Sequence, residues 1–296
     1  MGLFKFTYRF YYLYRCIMET DKQLKLLHIS DHHLLGNKQD KFAGIVPEDY
    51  FIQILQDAQK ASREHEFAGI ICSGDIVHDL EHNEAQLAQA YQIFTQHVQA
   101  YFPETPLYLC PGNHDHLELF KQLTFSQPFA LVADKQVLPV VLNNYWHLLL
   151  VDSKKPERVG GSITSEQTQF IQNYLSQHPQ VNVALVMHHN PLLANCAWLD
   201  SHRFRGIEEF WHAVAPWKNL RAIFHGHIHQ DFMATYEQVQ VLSVPATSVQ
   251  FKPQEQVFTL DPIAPGYRII TLEPTGFTHQ LKRLEQSLSY TKIKGY

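Results

Sequence analysis

The sequence predicts an α/β fold built around parallel strands, and three observations carry that expectation. Short apolar runs at residues 24–30, 67–72 and 106–110 alternate with segments of helical periodicity at 47 to about 64 and at 83–102. Strand–helix–strand units of this kind imply parallel strands with right-handed crossovers. Each run also ends on a polar turn: Asp31-His32-His33, Ser73-Gly74-Asp75 and Pro111-Gly112-Asn113-His114-Asp115. The three turns therefore lie on one edge of a sheet, where α/β proteins place their ligands.

Taken in order, the first run spans 24–30, and Pro47 near the start of the next segment suits the first turn of a helix. The run 106–110 is stopped sharply by Pro111-Gly112. A second set of elements follows. Residues 144–151 are apolar and end at Asp152-Ser153, and Thr164-Ser165-Glu166-Gln167 has capping-box spacing and opens a helix to about Gln177. Residues 181–187 end at His188-His189-Asn190-Pro191, and residues 220–224 end at His225-Gly226-His227-Ile228-His229. Residues 239–244 form another strand, and 267–272 with 277–284 form a pair joined around Pro274-Thr275-Gly276. No internal repeat, low-complexity tract or linker interrupts the chain, so residues 19–296 are expected to form one domain. Residues 1–18 are aromatic and basic, and Lys5, Arg9 and Arg15 break any signal-peptide core. They are read as an extension ahead of a true start at Met18, with no fixed structure.

Composition narrows the function. With 45% hydrophobic and 18% charged residues, the 296-residue chain describes a globular protein able to bury a sizeable core. A formal net charge of -5 argues against a nucleic-acid partner. No apolar run reaches the length of a membrane span, which argues against a membrane partner. The 4 Cys show no C-x-x-C spacing, and Cys72 and Cys110 end apolar runs, as buried reduced thiols of a cytoplasmic protein would. The 19 His are the compositional outlier.

Many of those histidines stand at strand ends beside carboxylates. Asp31-x-His33, Gly74-Asp75, Gly112-Asn113-His114-Asp115, His188 and Gly226-His227-Ile228-His229 together offer two carboxylates, one amide and four imidazoles, enough for two metal ions. A carboxylate is the side chain best able to bridge two cations, and Asp75 is the central candidate. Asp31, His33 and His229 complete one site; Asn113, His188 and His227 complete the other. Mixed oxygen and nitrogen ligation without thiolate suits iron, manganese, zinc or cobalt. Two divalent cations less Asp31, Asp75 and a bridging hydroxide leave a charge near +1, matched to a phosphodiester anion. Ions ~3.5–4 Å apart are the usual two-metal arrangement for in-line attack at phosphorus. Gly74, Gly112 and Gly226 let the backbone approach the ions without a Cβ in the way. His114 is expected to stabilise charge on the phosphate or protonate the leaving oxygen, with Asp115 holding its orientation. His32, His78, His82, His116, His189 and His225 border the motifs and are read as supporting or merely polar groups.

These five motifs, in this order, resemble the calcineurin-like metallophosphoesterase superfamily. Further along, Cys196-Ala197-Trp198-Leu199-Asp200-Ser201-His202, Gly226-His227-Ile228-His229-Gln230, Val249-Gln250-Phe251-Lys252-Pro253 and Asp261-Pro262-Ile263-Ala264-Pro265-Gly266-Tyr267-Arg268 look like the bacterial class III 3′,5′-cyclic-AMP phosphodiesterases. The resemblance implies a four-layer sandwich, two mixed β-sheets flanked by helices. It also implies a di-metal centre, Fe2+ and/or Mn2+, and hydrolysis of 3′,5′-cyclic AMP to 5′-AMP by a metal-bound hydroxide. A small cyclic nucleotide is then the partner, held by His33, Asn113, His114 and His229 and capped by the loop 190–205. In that loop Trp198 would stack on the base, and Asn195, Asp200 and His202 would offer donors and acceptors. Cys196 is read as packing, since hydrolysis by activated water needs no thiol. The rival readings are a broad-specificity phosphodiesterase or phosphomonoesterase and a metal-free binding module. The module should have lost ligands, whereas all seven candidates are present.

Overall fold

The computed structural model describes residues 23–63, 66–78, 83–156 and 158–290, and the statements that follow concern these. The expectation for residues 1–18 and the reading of His82 lie outside them. The first half of the chain runs β1 (Leu24–Ile29), α1 (Pro47–Ser62), β2 (Gly69–Cys72), α2 (Glu84–Tyr101), β3 (Leu107–Leu109), α3 (Leu117–Phe120), β4 (Phe129–Leu131), β5 (Val137–Val141) and β6 (Trp146–Val151). It continues with α4 (Ser165–Gln177), β7 (Asn182–Val186), α5 (Ala197–Ser201), α6 (Ile207–Val214), β8 (Leu220–His225), β9 (Met233–Tyr236) and β10 (Val239–Ser243). Two short strands, β11 (Gln250–Phe251) and β12 (Leu260–Asp261), precede the closing hairpin of β13 (Gly266–Glu273) and β14 (Gly276–Arg283).

Two six-stranded sheets result, ordered β14-β13-β1-β2-β3-β4 and β5-β6-β7-β8-β10-β9. The parallel pairs expected from the strand–helix alternation are present: β1 with β2, β2 with β3, β6 with β7, and β7 with β8. Register levels the strand ends. Ile29 lies opposite Cys72 and Cys72 opposite Leu109, while Val186 lies opposite Phe224 in the second sheet. The turns that follow each strand are therefore brought side by side.

Side-chain alternation explains the layering. In β1, Leu27 and Ile29 join a cluster with Phe51, Ile54 and Leu55 of α1 and Phe94 of α2. Their neighbours Leu24 and Leu26 point to the other face, among Leu148 and Leu150 of β6 and Phe224 of β8. Leu149 and Val151 turn outward again to Ile171 of α4 and Trp211 of α6. The order is helices, sheet, sheet, helices. Strands covered on both faces read as continuous apolar runs, which is how they appear in the sequence. Full burial of a Leu or Ile side chain contributes roughly 1.5–3 kcal/mol, so these layers dominate the stability.

Helix starts are fixed locally. Asn83 and Thr164 each accept from the backbone N–H three residues on, and Gln86 and Gln167 return the bond to the capping residue. The chain after β14 crosses back over the loop that carries β11 and β12. There Leu288 is buried, and the Tyr290 hydroxyl donates to the Asp261 carbonyl at 2.8 Å and accepts from the Gln250 N–H at 2.9 Å.

Candidate metal centre

The seven donors expected from the sequence stand on turns after five parallel strands: β1, β2, β3, β7 and β8. Five of them, Asp31, His33, Asp75, His227 and His229, have positive φ, between 47° and 70°. For residues other than glycine this left-handed backbone is held at a cost of order 1–3 kcal/mol each and persists only where its surroundings over-determine it. They do so here. The Asp31 N–H donates to the Gly74 carbonyl at 3.0 Å, His33 N–H to the Asp75 carbonyl at 3.1 Å, and His227 N–H to both carboxylate oxygens of Asp31 at 3.1 Å. Gly112 and Gly226 allow the turns to close up. A Cβ on Gly112 would lie 2.1 Å from Asp75 Oδ1, and one on Gly226 would lie 2.1 Å from Ser30 Oγ and 2.5 Å from Asp31 Oδ2.

The structure brings all seven together in one continuous chain of contacts. His229 Nε2 is 3.3 Å from Asp31 Oδ1 and 3.1 Å from His33 Nε2, and His33 Nε2 is 3.8 Å from Asp75 Oδ2. Asp75 Oδ2 is 3.2 Å from His188 Nε2, which is 3.1 Å from Asn113 Oδ1; His227 Nδ1 is 2.9 Å from the same amide oxygen. Asp75 sits between the two halves. The far ring nitrogens fix how the imidazoles present themselves. His188 Nδ1 is 2.8 Å from the Ser73 carbonyl, and His229 Nδ1 is 2.8 Å from the Val249 carbonyl. A carbonyl accepts only, so each Nδ1 carries a proton and Nε2 is the nitrogen left to face the other donors. Imidazole nitrogens and two carboxylates converging in a buried space are compatible with a dinuclear metal site, and groups drawn from these residues lie within 4.8 Å of one another.

Electrostatics without metal points the same way. Burial alone would raise the Asp31 and Asp75 carboxyls. The attractions of His229 and His188 together outweigh it at Asp31, and those of His188, His114 and His33 together at Asp75, so both carboxyls are held down as anions. Burial likewise would lower His188, but Asp75 and then Asp31 push it up to about 9. An imidazolium wedged against two buried carboxylates occupies the electrostatic place of a cation. His227 goes the other way, lowered to about 3, chiefly by burial and the charge of His188.

The bordering residues separate by what they touch. Both ring nitrogens of His189 are engaged, Nδ1 with Ser153 Oγ at 2.8 Å and Nε2 with the Val159 carbonyl at 3.0 Å, whereas His188 Nε2 meets Asp75 and Asn113. His78 Nδ1 meets His33 Nδ1 at 3.0 Å and braces that ring from behind. His32 packs between Phe51 and Phe94 and is hydrogen-bonded to Thr247, and the His225 ring turns Nδ1 to the Gly226 carbonyl. His116 is exposed. His114 is buried, stacked on His78 and edge-on to His33, and its N–H donates to Asp75 Oδ1 at 2.7 Å.

Asp115 corrects one expectation. Its Oδ1 accepts from the Tyr91 hydroxyl at 2.9 Å and the Ile76 N–H at 3.1 Å, and its Oδ2 from the Gly112 N–H at 2.8 Å. The carboxylate staples the turn after β3 to the turn after β2 and spends its oxygens there rather than on the His114 ring. Burial, reinforced by the neighbouring Asp75 charge, pushes Asp115 up to about 6.

Over the centre lies a cleft lined by Asp75, Asn113, His227, Trp198, His202 and Phe251, among others. Trp198 and His202 of the loop 190–205 line this cleft. Asp200 instead ties the loop to itself: its oxygens accept from the Ala194 N–H at 2.8 Å and the Cys196 N–H at 3.1 Å. Asn195 is exposed in a left-handed turn. Cys196 packs as expected, buried with Sγ donating to the Glu255 carbonyl at 3.2 Å. Phe251, given by the sequence only as part of a family-like motif and without a role, stacks its ring on His229 at 4.0 Å and 8°, and Val159, which sequence reasoning missed, joins the cleft lining. An aromatic in a polar loop was the available signal for Phe251; an apolar residue among charges gave none for Val159.

Comparison with known proteins agrees with this geometry. The family model for calcineurin-like phosphoesterase matches residues 24–231. A 3′,5′-cyclic adenosine monophosphate phosphodiesterase CpdA from Haemophilus influenzae is 32% identical over 265 residues, 89% of this chain and 91% of that protein. The protein of the same name from Escherichia coli is 30% identical over 268 residues, again 89% and 91%. Among solved structures, a dimetal phosphatase from Danio rerio is similar with a TM-score of 0.61 at 11% identity, covering 86% of this chain and 98% of that one, a likeness of fold.

Proposed function

The chain belongs to the calcineurin-like phosphoesterase family, and from that premise we propose that it is a di-metal hydrolase opening 3′,5′-cyclic AMP to 5′-AMP. The observation that carries this reading is the seven-donor chain centred on Asp75, together with relatives named for that activity. Asp31, His33, Asp75 and His229 would hold one ion, and Asp75, Asn113, His188 and His227 the other; iron and/or manganese suit this donor set. Two such ions, when bound, supply positive charge for the phosphate and an activated water.

The chain's own residues then divide the work. Asp75 sets the spacing between the two halves. His188 and His229, held through Nδ1 by backbone carbonyls, keep fixed directions. Water adds to phosphorus, the bond from phosphorus to the 3′ oxygen breaks, and the His114 ring delivers the proton that oxygen needs. General acid catalysis of this kind is worth roughly 10²–10⁴-fold. Trp198, His202, Phe251 and Val159 line the cleft, and in this reading they would face the base of the nucleotide. Residues 19–296 act as one domain in this reading, supported by the apolar cluster shared between the two sheets. A cytoplasmic setting fits Cys72, Cys110 and Cys196, all buried and free. No helix among the described residues is long and apolar enough to cross a membrane.

The test is to purify the protein without added metal, identify the ions it carries, and assay cyclic nucleotides, cyclic dinucleotides and a small generic phosphodiester side by side. Selective conversion of 3′,5′-cyclic AMP to 5′-AMP is expected. A protein loaded with two metals that opens no cyclic nucleotide would sink the reading.

Trp198→Ala refines it. Base–aromatic stacking contributes roughly 1–3 kcal/mol in single-strand binders, so KM for 3′,5′-cyclic AMP should rise far more than for the generic diester. A second reading has its own observation: the Trp198 ring stands edge-on to Phe251 and Phe258, each at 5.0 Å. Equal losses on both substrates would make it the loop's anchor.

A further inference from the structure

The turn after β6, Asp152-Ser153-Lys154, supplies none of the seven donors, yet one of its side chains reaches the centre. Lys154 Nζ donates to the backbone carbonyl of Asn113 at 2.5 Å. The N–H of that same peptide unit, belonging to His114, donates to Asp75 Oδ1 at 2.7 Å. A single peptide plane therefore joins a lysine ammonium on one side to the central carboxylate on the other.

This arrangement has a direct physical consequence. A hydrogen bond to an amide carbonyl withdraws electron density from the amide and strengthens its N–H as a donor, and a charged donor does so more than a neutral one. The paired bonds also fix the rotation of the plane from which the Asn113 side chain departs. The lysine itself is built in. It is half-buried, and its N–H donates to Asp152 Oδ1 at 2.9 Å, while Asp152 Oδ2 accepts from the Lys135 N–H at 2.8 Å. The ordinary expectation for a Lys-Lys pair in a loop, two solvated cations, does not describe it.

We propose that Lys154 is a positioning residue of the dinuclear centre, acting through the Asn113–His114 peptide. It holds Asn113 Oδ1 toward His188 and His227 and engages Asp75 through Oδ1, leaving Asp75 Oδ2 toward the imidazoles. The inference rests on the metal-binding reading given above.

The experiment titrates Mn2+ alone into metal-stripped full-length protein by calorimetry, for wild type, Lys154→Met, Lys154→Gln and Lys154→Arg, with circular dichroism to follow the fold. Loss of a group that orients a metal ligand typically lowers affinity by about 10–100-fold, and that loss is expected at one of the two ions in the Met and Gln variants, with Arg restoring most of it. Unchanged Mn2+ affinity in a folded Met or Gln variant would overturn the proposal. So would tighter binding, which would mean that the cation merely repels the ions, or an Arg variant as weak as Met, which would mean that stem packing matters and the donor does not. Wild type that takes up no Mn2+ would overturn the metal-binding reading beneath it, a result distinct from all of these.

Discussion

Asp75 illustrates how much a single side chain can be asked to do. Its Oδ2 faces His33 and His188 while its Oδ1 takes the His114 N–H, so both halves of the centre converge on one carboxylate. Asp75→Ala should leave a folded protein that retains at most one metal per chain and no measurable hydrolysis. Asp75→Asn should be nearly as damaging, because a neutral amide bridges poorly and leaves His188 without its counter-charge. Metal content by elemental analysis beside turnover checks this, and near-normal values of both in either variant would refute the bridging role. At this scale the sequence was informative about donor type and silent about where neighbouring hydrogen bonds go. Residue chemistry and order brought out Asp31, His33, Asp75, Asn113, His188, His227 and His229. Asp115 and Asp200 carry the same functional group, but their oxygens are spent on backbone N–H groups of adjacent turns, and such destinations depend on loop geometry that no spacing encodes.

Among the elements, those with a period or a cap were legible. The runs that became β1, β2, β3, β7 and β8 are apolar because both faces are covered, α2 shows helical periodicity, and α4 announces itself through Thr164-x-x-Gln167. The short elements α3, α5, β4, β9, β11 and β12 span two to five residues, too few to display a 3.6- or 2-residue repeat. The five-residue helix α5 is held by tertiary context, and Asp200 is its local anchor, accepting the N–H groups of Ala194 and Cys196. Asp200→Ala should therefore loosen the loop 190–205, raise KM with less effect on kcat, and leave the thermal midpoint close to wild type. Hydrogen exchange confined to that loop is the expected signature. Unaltered exchange there would show that the aromatic packing of Trp198 suffices.

The whole molecule buries an unusual number of neutral imidazoles. Outside the donor set, burial lowers His32 to about 3 and His147 and His225 to about 4, and it lowers His28 as well, helped by Arg268. An unfolded chain binds these protons near the ordinary value of 6.5, so below that pH the unfolded state takes up protons that the folded state refuses, and stability falls as pH drops toward 4. Asp115, raised to about 6, opposes this with one group. His188 acts at the other end: raised to about 9 in the metal-free protein, its contribution is present below 6.5 and lost as pH climbs through 9. Metal-free protein should thus melt highest near about pH 7 and lose stability from there toward about pH 9, and His147→Asn should flatten the acid limb. Melting curves that stay level down to about pH 5 would contradict the buried neutral state. The sheet order carries a different kind of consequence. β1 lies between β2 and β13, with Leu26 opposite Gly69 on one side and Ile270 on the other. During synthesis β1 gains its neighbour β2 early, and its other edge waits until β13 is made. A message cut short before β13 yields a product with every donor residue and an unfinished sheet, prey for proteases and for any other exposed strand.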